Sequence, residues 1–583
     1  MACHFWCRLC GSPDHGRVRR ITKHNTYFRG RFKRPLFCSN RRTESMGQND
    51  NFNSEHRFGS ARWADESEIR RAGLLGEKGL PLGFCRNSLL RLHSDAPLIT
   101  FGGAGSGKLG DILAYVLCLC PAEPMLILDP RGELYAVSIL GLAAAGTYCF
   151  AWDPLHLTGA PQHSCNPLDI LKLDSPNFHA DCKFIFEGLI PMPPGVSQPY
   201  FILRAREWVE SIAKVCVEHW GYVSLPMLYQ VINWIEGDGL KWADFLEVML
   251  RSRFAEARRT ASEMLTKQQD SQREFGSVMG EIYAYTSFLA DPALSAALEG
   301  GDFSLKDLTR HNPITRIHLN VPAEYLGIWS PVIRIFFTVA SLYKGRALEA
   351  PRVNFIIDEA GQLGRFEALK RSFTFDRGKG VRTWALFQAV SQIIENFEPS
   401  AVQTFLGSAQ VRQFFGVRDF ETAELVSKML GDQTLEYDDL NYQQEARRYR
   451  MDAMRHAFSG GDPFEKAFEY QHYGKSAQRK TKQARPLMEP DEILNMPEHE
   501  QILFISGKNL HPLRVNKHPY YERKEMAGRF LPNPNHPPND QVKVATSFGS
   551  KSVRVIEGTV PDKYAGFPQY AHGCVRRLES FPF

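Results

Sequence analysis

The chain has no uninterrupted apolar run near the roughly 18 residues that a membrane-spanning helix needs; its longest candidates, at residues 112–120 and 333–342, have the length of core helices. No apolar stretch of about 7–15 residues follows the basic residues at the N-terminus, so a secretory signal is not expected there. Cysteine is sparse, 12 in 583 residues, and irregularly spaced, which argues against a disulfide scaffold and for a reducing cytosol. Net charge is small as well. The total of +5 conceals an asymmetry: residues 1–45 carry eleven Lys/Arg against Asp14 and Glu44, a surplus of +9 that leaves −4 for the remainder. Bulk basicity therefore does not argue for a nucleic-acid partner, and any such surface must be local.

What is present is length and a 43% apolar fraction, enough chain for two to four domains of about 100–200 residues each. At residues 98–109 an apolar run ends in a glycine-rich loop: Gly102, Gly103, Ala104, Gly105, Ser106, Gly107, Lys108, Leu109. Four glycines give the backbone the positive-φ freedom needed to point several N–H groups into one concavity, where a polyphosphate binds. Lys108 adds a point charge, and the helix that follows adds its dipole. The spacing meets the phosphate-loop pattern in all but its last position, where a Ser or Thr hydroxyl holds Mg²⁺. That position is Leu109.

The surrounding pattern predicts strand, loop, helix, strand, the start of a parallel α/β sheet. A helix is expected over 111–120, and a buried strand over 125–129 ends in Asp129 and the turn Pro130-Arg131-Gly132-Glu133. Residues 171–300 lose β character and take a helical period, which predicts an all-α insertion. Sheet character returns at 314–319. The strand at 353–357 ends in Asp358 and Glu359, paired carboxylates suited to holding a Mg²⁺ shell and polarising a water. A further strand at 384–387 ends in Gln388, placed to contact a γ-phosphate; between the two lies a cationic loop containing Arg377, a candidate arginine finger for a neighbouring subunit. Residues 473–485 carry Lys475, Arg479, Lys480, Lys482 and Arg485 without an acid, either a backbone-phosphate contact or a solvated linker. Beyond Arg529, prolines predict a tail without fixed fold. Cys3, Cys7 and Cys10 have a metal-like spacing with His4 or His15 nearby, although a basic disordered arm, or sequence upstream of a true start at Met46, explains the same stretch.

Taken together, Gly59-Ser60-Ala61-Arg62-Trp63, the glycine loop, Asp129 to Glu133, Asn166-Pro167-Leu168-Asp169, Asp358-Glu359, Phe387 to Gln392, Arg485 to Met488 and Tyr520-Tyr521 resemble the VirD4/TraG type IV coupling proteins. The resemblance spans about residues 57–525. It implies a RecA/FtsK-like P-loop NTPase sheet with a large all-helical insertion: a nucleotide-binding α/β part (58–170), an all-α domain (171–300) that receives cargo and a second α/β part (301–528), flanked by the compositionally distinct basic arm (1–57) and Pro-rich tail (529–583). It further implies a hexameric ATPase that brings DNA with its relaxase, or effectors, to a type IV secretion channel. In that reading residues 102–109 bind ATP, Asp358 binds Mg²⁺, Glu359 is the base, Gln388 senses the γ-phosphate and Arg377 acts in trans. The family's N-terminal membrane helices have no counterpart here, which suggests a soluble variant, a truncated copy, or a cytoplasmic protein recruited to the inner membrane by a partner. That departure and Leu109 keep open a hydrolysis-poor adaptor, or a soluble DNA translocase.

Overall fold

The computed structural model describes residues 56–581 except 194, 197–198, 439, 461–467, 469–470, 473–479 and 548. The basic arm with its three cysteines and most of the 473–485 stretch lie outside the described residues. The main strands are β1 (Leu80–Cys85), β2 (Ser88–Leu92), β3 (Leu98–Gly102), β4 (Met125–Asp129), β5 (Thr147–Trp152), β6 (Ile314–Asn320), β7 (Val353–Ile357), β8 (Val381–Phe387) and β9 (Val411–Phe415). A ribbon of β10 (Asp432–Asp438) and β11 (Lys480–Pro486) precedes β12 (Glu500–Ile505) and β13 (Leu513–Asn516). Eleven strands form one sheet in the order β2-β1-β13-β12-β9-β3-β8-β7-β4-β6-β5. From β9 to β5 every pairing is parallel, whereas β12, β13, β1 and β2 add an antiparallel wing.

The parallel strands read as continuous apolar runs because both faces are covered. Alternate side chains serve different cores. Ile99 and Phe101 of β3 and Leu126 and Leu128 of β4 face the larger one, while Leu98, Met125 and Ile127 face the other, against Ile112, Val116 and Leu117. That second face is covered by α1 (Glu66–Arg71), by α2 (Ala114–Leu119, entered through a π-helical turn Lys108–Leu113) and by α3 (Glu133–Ser138).

Between β5 and β6 lie seven helices among the described residues: α4 (Phe178–Leu189), α5 (Tyr200–Trp220), α6 (Leu225–Gly237), α7 (Gly239–Leu250), α8 (Ala255–Asp270), α9 (Gln272–Thr286) and α10 (Pro292–Glu299). α8 and α9 are separated at Ser271, whose ψ of 55 leaves the helical range. The two chain segments that flank this insertion meet at Asp169, which accepts hydrogen bonds from Ser304 (2.5 Å) and from Tyr343 (2.9 Å). Next comes α11 (Leu326–Arg346), longer than the apolar run at 333–342 suggests. Among the described residues it alone is long and apolar enough to cross a membrane, but 72% of that window is buried inside the fold, as in a core helix.

The expectation for the tail needs correcting. Beyond Arg529 the chain forms a three-stranded antiparallel sheet, β14 (Gln541–Thr546), β15 (Gly549–Thr559) and β16 (Cys574–Leu578). Val542, Val544, Val553 and Leu578 pack on Ala114, Tyr115 and Cys118 of α2 and Val137 of α3. The prolines at 532–538 precede this sheet rather than dissolving it, and Gln541-Val542-Lys543-Val544 alternates as a half-buried strand should. The Gln569 amide accepts from the Cys149 N–H (2.9 Å) and donates to the Thr147 carbonyl (3.0 Å), and with residues 162–163, which bond to Ala151, it covers the outer edge of β5. β10 and β11 pair in register as an antiparallel ribbon, Asp432 opposite Pro486 through Asp438 opposite Lys480. On that ribbon Lys482 is paired with Glu436 (2.7 Å), and Arg485 is paired with Glu492 (2.6 Å), so two of the cations considered for phosphate contact are already neutralised.

Candidate active site

Parallel strands all end at one edge of a sheet, and loops at a strand's carboxyl end are where α/β proteins bind ligands. At that edge β3 runs into the glycine loop, β7 into Asp358 and Glu359, and β8, which lies between them, into Gln388. Two glycines in the loop are required by close approach. The Gly103 N–H donates to the Gly416 carbonyl (3.2 Å), and a Cβ at Gly103 would stand 2.4 Å from that oxygen. Gly107 has φ +86, and its Cβ would stand 2.3 Å from Asp111 Oδ2. The Ser106 hydroxyl turns back to donate to the Gly103 carbonyl (2.6 Å), while Ala104 and Gly105 form the exposed tip. Leu109 is half-buried and packs against the cluster containing Phe84 and Tyr115.

The predicted polar residues converge. The Lys108 ammonium is 2.5 Å from Glu359 Oε1 and 4.0 Å from Asp358 Oδ1, and the Gln388 amide donates to Glu359 Oε2 at 2.8 Å. Glu359 sits in the left-handed region (φ 55, ψ 42), an uncommon place for a residue with a side chain. Such strain, of order 1–3 kcal/mol, is characteristic of functional sites. Burial pushes the Asp358 carboxyl up to about 6, with Lys108 pulling the other way and Glu359 adding to the rise.

Arg377 is elsewhere. It precedes β8, whereas Gln388 follows it; seven residues of strand put about 23 Å between the two edges. There its guanidinium pairs with Asp95 (3.0 Å) and stays more than half exposed. Within one chain it cannot reach Lys108.

Two features escape sequence reasoning. The pairing of Leu128 with Ile357 sets Asp129 beside Asp358. Asp129 accepts the N–H groups of Tyr135 (2.9 Å) and Arg131 (3.4 Å), and burial, reinforced by Asp358, raises its carboxyl to about 7. Lys517 lies beneath the glycine loop, its ammonium 2.8 Å from the Ser106 carbonyl and 2.7 Å from Asp111 Oδ2. It comes from more than 400 residues away in the chain, and no local signal marks it. Among the described residues no three His, Cys, Asp or Glu side chains cluster as a metal cage. The donor set instead suits a hard cation held largely through nucleotide oxygens and water, as Mg²⁺ is.

A family model described as type IV secretory system conjugative DNA transfer matches residues 62–543. The chain belongs to that family. VirD4 of Rhizobium rhizogenes is 26% identical over 494 residues, covering 82% of this chain and 67% of that protein. VirD4 of Agrobacterium fabrum is 26% identical over 495 residues, with 82% and 68% covered. A TraG conjugal transfer protein of Rhizobium radiobacter is 27% identical over 269 residues, 46% of this chain and 37% of that one. Among solved structures, the conjugative coupling protein TrwB without its first 70 residues superposes with a TM-score of 0.55 at 16% identity, covering 79% of this chain and 92% of that one. TrwB with ADP and Mg²⁺ superposes with a TM-score of 0.54, also at 16% identity, over 79% of this chain and 93% of that one. At such identity the likeness is one of fold: the coupling-protein α/β sheet.

Proposed function

We propose that this member of the conjugative DNA transfer family is an ATP-driven coupling protein that brings DNA with its relaxase, or effectors, to a type IV secretion channel as a homo-hexamer. The observation that carries this reading is the meeting of Lys108, Glu359 and Gln388 at the carboxyl edge of one parallel sheet. Lys108 pairs with Glu359 (2.5 Å). Phosphate oxygens arriving in the loop compete for that ammonium, and its departure frees the Glu359 carboxylate to take a proton from an attacking water. Gln388, bonded to Glu359, moves with that exchange and couples the phosphate to the helix that follows β8. Asp358 supplies the protein's hard oxygen ligand for Mg²⁺, which neutralises phosphate charge when bound. Arg377, remote from its own site and exposed, is placed to serve a neighbour's. TrwB, solved with ADP and Mg²⁺, supports the choice of cofactors. The all-α insertion is the cargo-receiving part.

The test is ATP turnover by the full chain with and without single-stranded DNA, for the wild type and Lys108→Ala. DNA-stimulated turnover that disappears in the variant is expected. Leu109 gives a second reading its one support: nucleotide binding with negligible turnover, while a relaxase still co-purifies, identifies an adaptor.

A further inference from the structure

Lys517 follows β13 directly, and its backbone N–H donates to the His499 carbonyl (2.8 Å). Strand pairing fixes the residue before it: Asn516 stands opposite Glu500 on one side and Phe84 on the other. The side chain is 2% exposed, and its ammonium lies 5.1 Å from the Phe415 ring centroid, at the end of the strand beside β3. A lysine is rarely buried so deeply without a task for its charge. Its polar partners are the Ser106 carbonyl and Asp111, and the Asp111 N–H in turn donates to the Gly107 carbonyl (2.8 Å). One ammonium thus holds the glycine loop and the first turn behind it.

We propose that Lys517 is a positioning residue for phosphate binding. In a trans peptide the C=O and the following N–H point in opposite directions. Holding the Ser106 carbonyl inward, against a buried cation, turns the Gly107 N–H of the same peptide unit outward, into the concavity where phosphate binds. Gly107, at φ +86, has few barriers of its own to rotation. The external clamp supplies the order that the glycine lacks, and so lowers the cost of arranging the loop at the moment of binding.

This inference rests on the nucleotide-site reading, and the test separates the two. Mg²⁺-ATP affinity is measured by calorimetry on the full chain for the wild type, Lys517→Met, Lys517→Arg and the double variant Lys517→Met/Asp111→Asn, which leaves no unpaired buried carboxylate. Lys517→Met and the double variant are expected to bind about tenfold or more weakly, and Lys517→Arg, which keeps charge and donors, within about threefold of wild type. A double variant that binds like the wild type overturns the inference, because Lys517 then only neutralises Asp111. Lys517→Arg as weak as Lys517→Met overturns it too. A wild-type chain that binds no Mg²⁺-ATP overturns the nucleotide reading and this inference with it.

Discussion

Leu109 occupies the position from which a P-loop hydroxyl ordinarily reaches Mg²⁺, and in this protein the side chain has joined the apolar cluster around Phe84 and Tyr115. In the proposed reading the metal shell would therefore draw on Asp358, water and the nucleotide. Restoring a hydroxyl worth about 1 kcal/mol of interaction is expected to lower the Mg²⁺ requirement for ATP turnover about fivefold. Leu109→Thr, assayed by turnover against Mg²⁺ concentration, checks this; an unchanged requirement would mean that the hydroxyl stays with the core rather than turning to the metal. The other predicted residues divide by how local their task is. Lys108, Asp358, Glu359 and Gln388 are legible in the sequence because each closely follows the end of a strand, and the loops that leave one sheet edge must meet. The placement of Asp129 beside Asp358 and the contact of Lys517 with the loop are not, because they come from strand register and from a contact across more than 400 residues.

At the scale of elements, continuous apolar runs identify the parallel strands and a helical period identifies the insertion, since burial on two faces or on one stripe imposes those patterns. Composition misleads at the C-terminal end. Prolines there mark a connection, and the short alternating strand beyond them is stabilised by contacts with α2 that no local pattern announces. If β14–β16 is an integral layer behind the phosphate loop, Leu578→Ala, at a fully buried position, should cost about 2–5 kcal/mol of stability. A denaturant midpoint that stays put would show the sheet to be peripheral to the cooperative unit. The β10–β11 ribbon carries a similar lesson: Lys482 and Arg485 read as free cations in one dimension, yet both face carboxylates once the ribbon pairs and the chain folds.

For the whole molecule, the decisive fact is that Arg377 and Lys108 lie at opposite edges of the same sheet. A single chain therefore holds an incomplete site if Arg377 is catalytic, and a ring in which one subunit's lower edge meets the next subunit's upper edge would complete it. Lys108→Ala and Arg377→Ala chains, each inactive alone, should then recover part of the ATP turnover when mixed, because each supplies what the other lacks. Mixtures as inactive as the separate variants would remove Arg377 from the site. By itself the sequence determined the phosphate loop, the carboxylate pair, the strand-ending glutamine, the helical insertion and their order, because each depends on residues close together in the chain. Tertiary structure alone decided that Lys108 pairs with Glu359, that Asp129 borders Asp358, that Lys517 grips the loop and that the tail folds. Those outcomes depend on register and on burial between distant segments, where the energy of a contact belongs to neither segment alone.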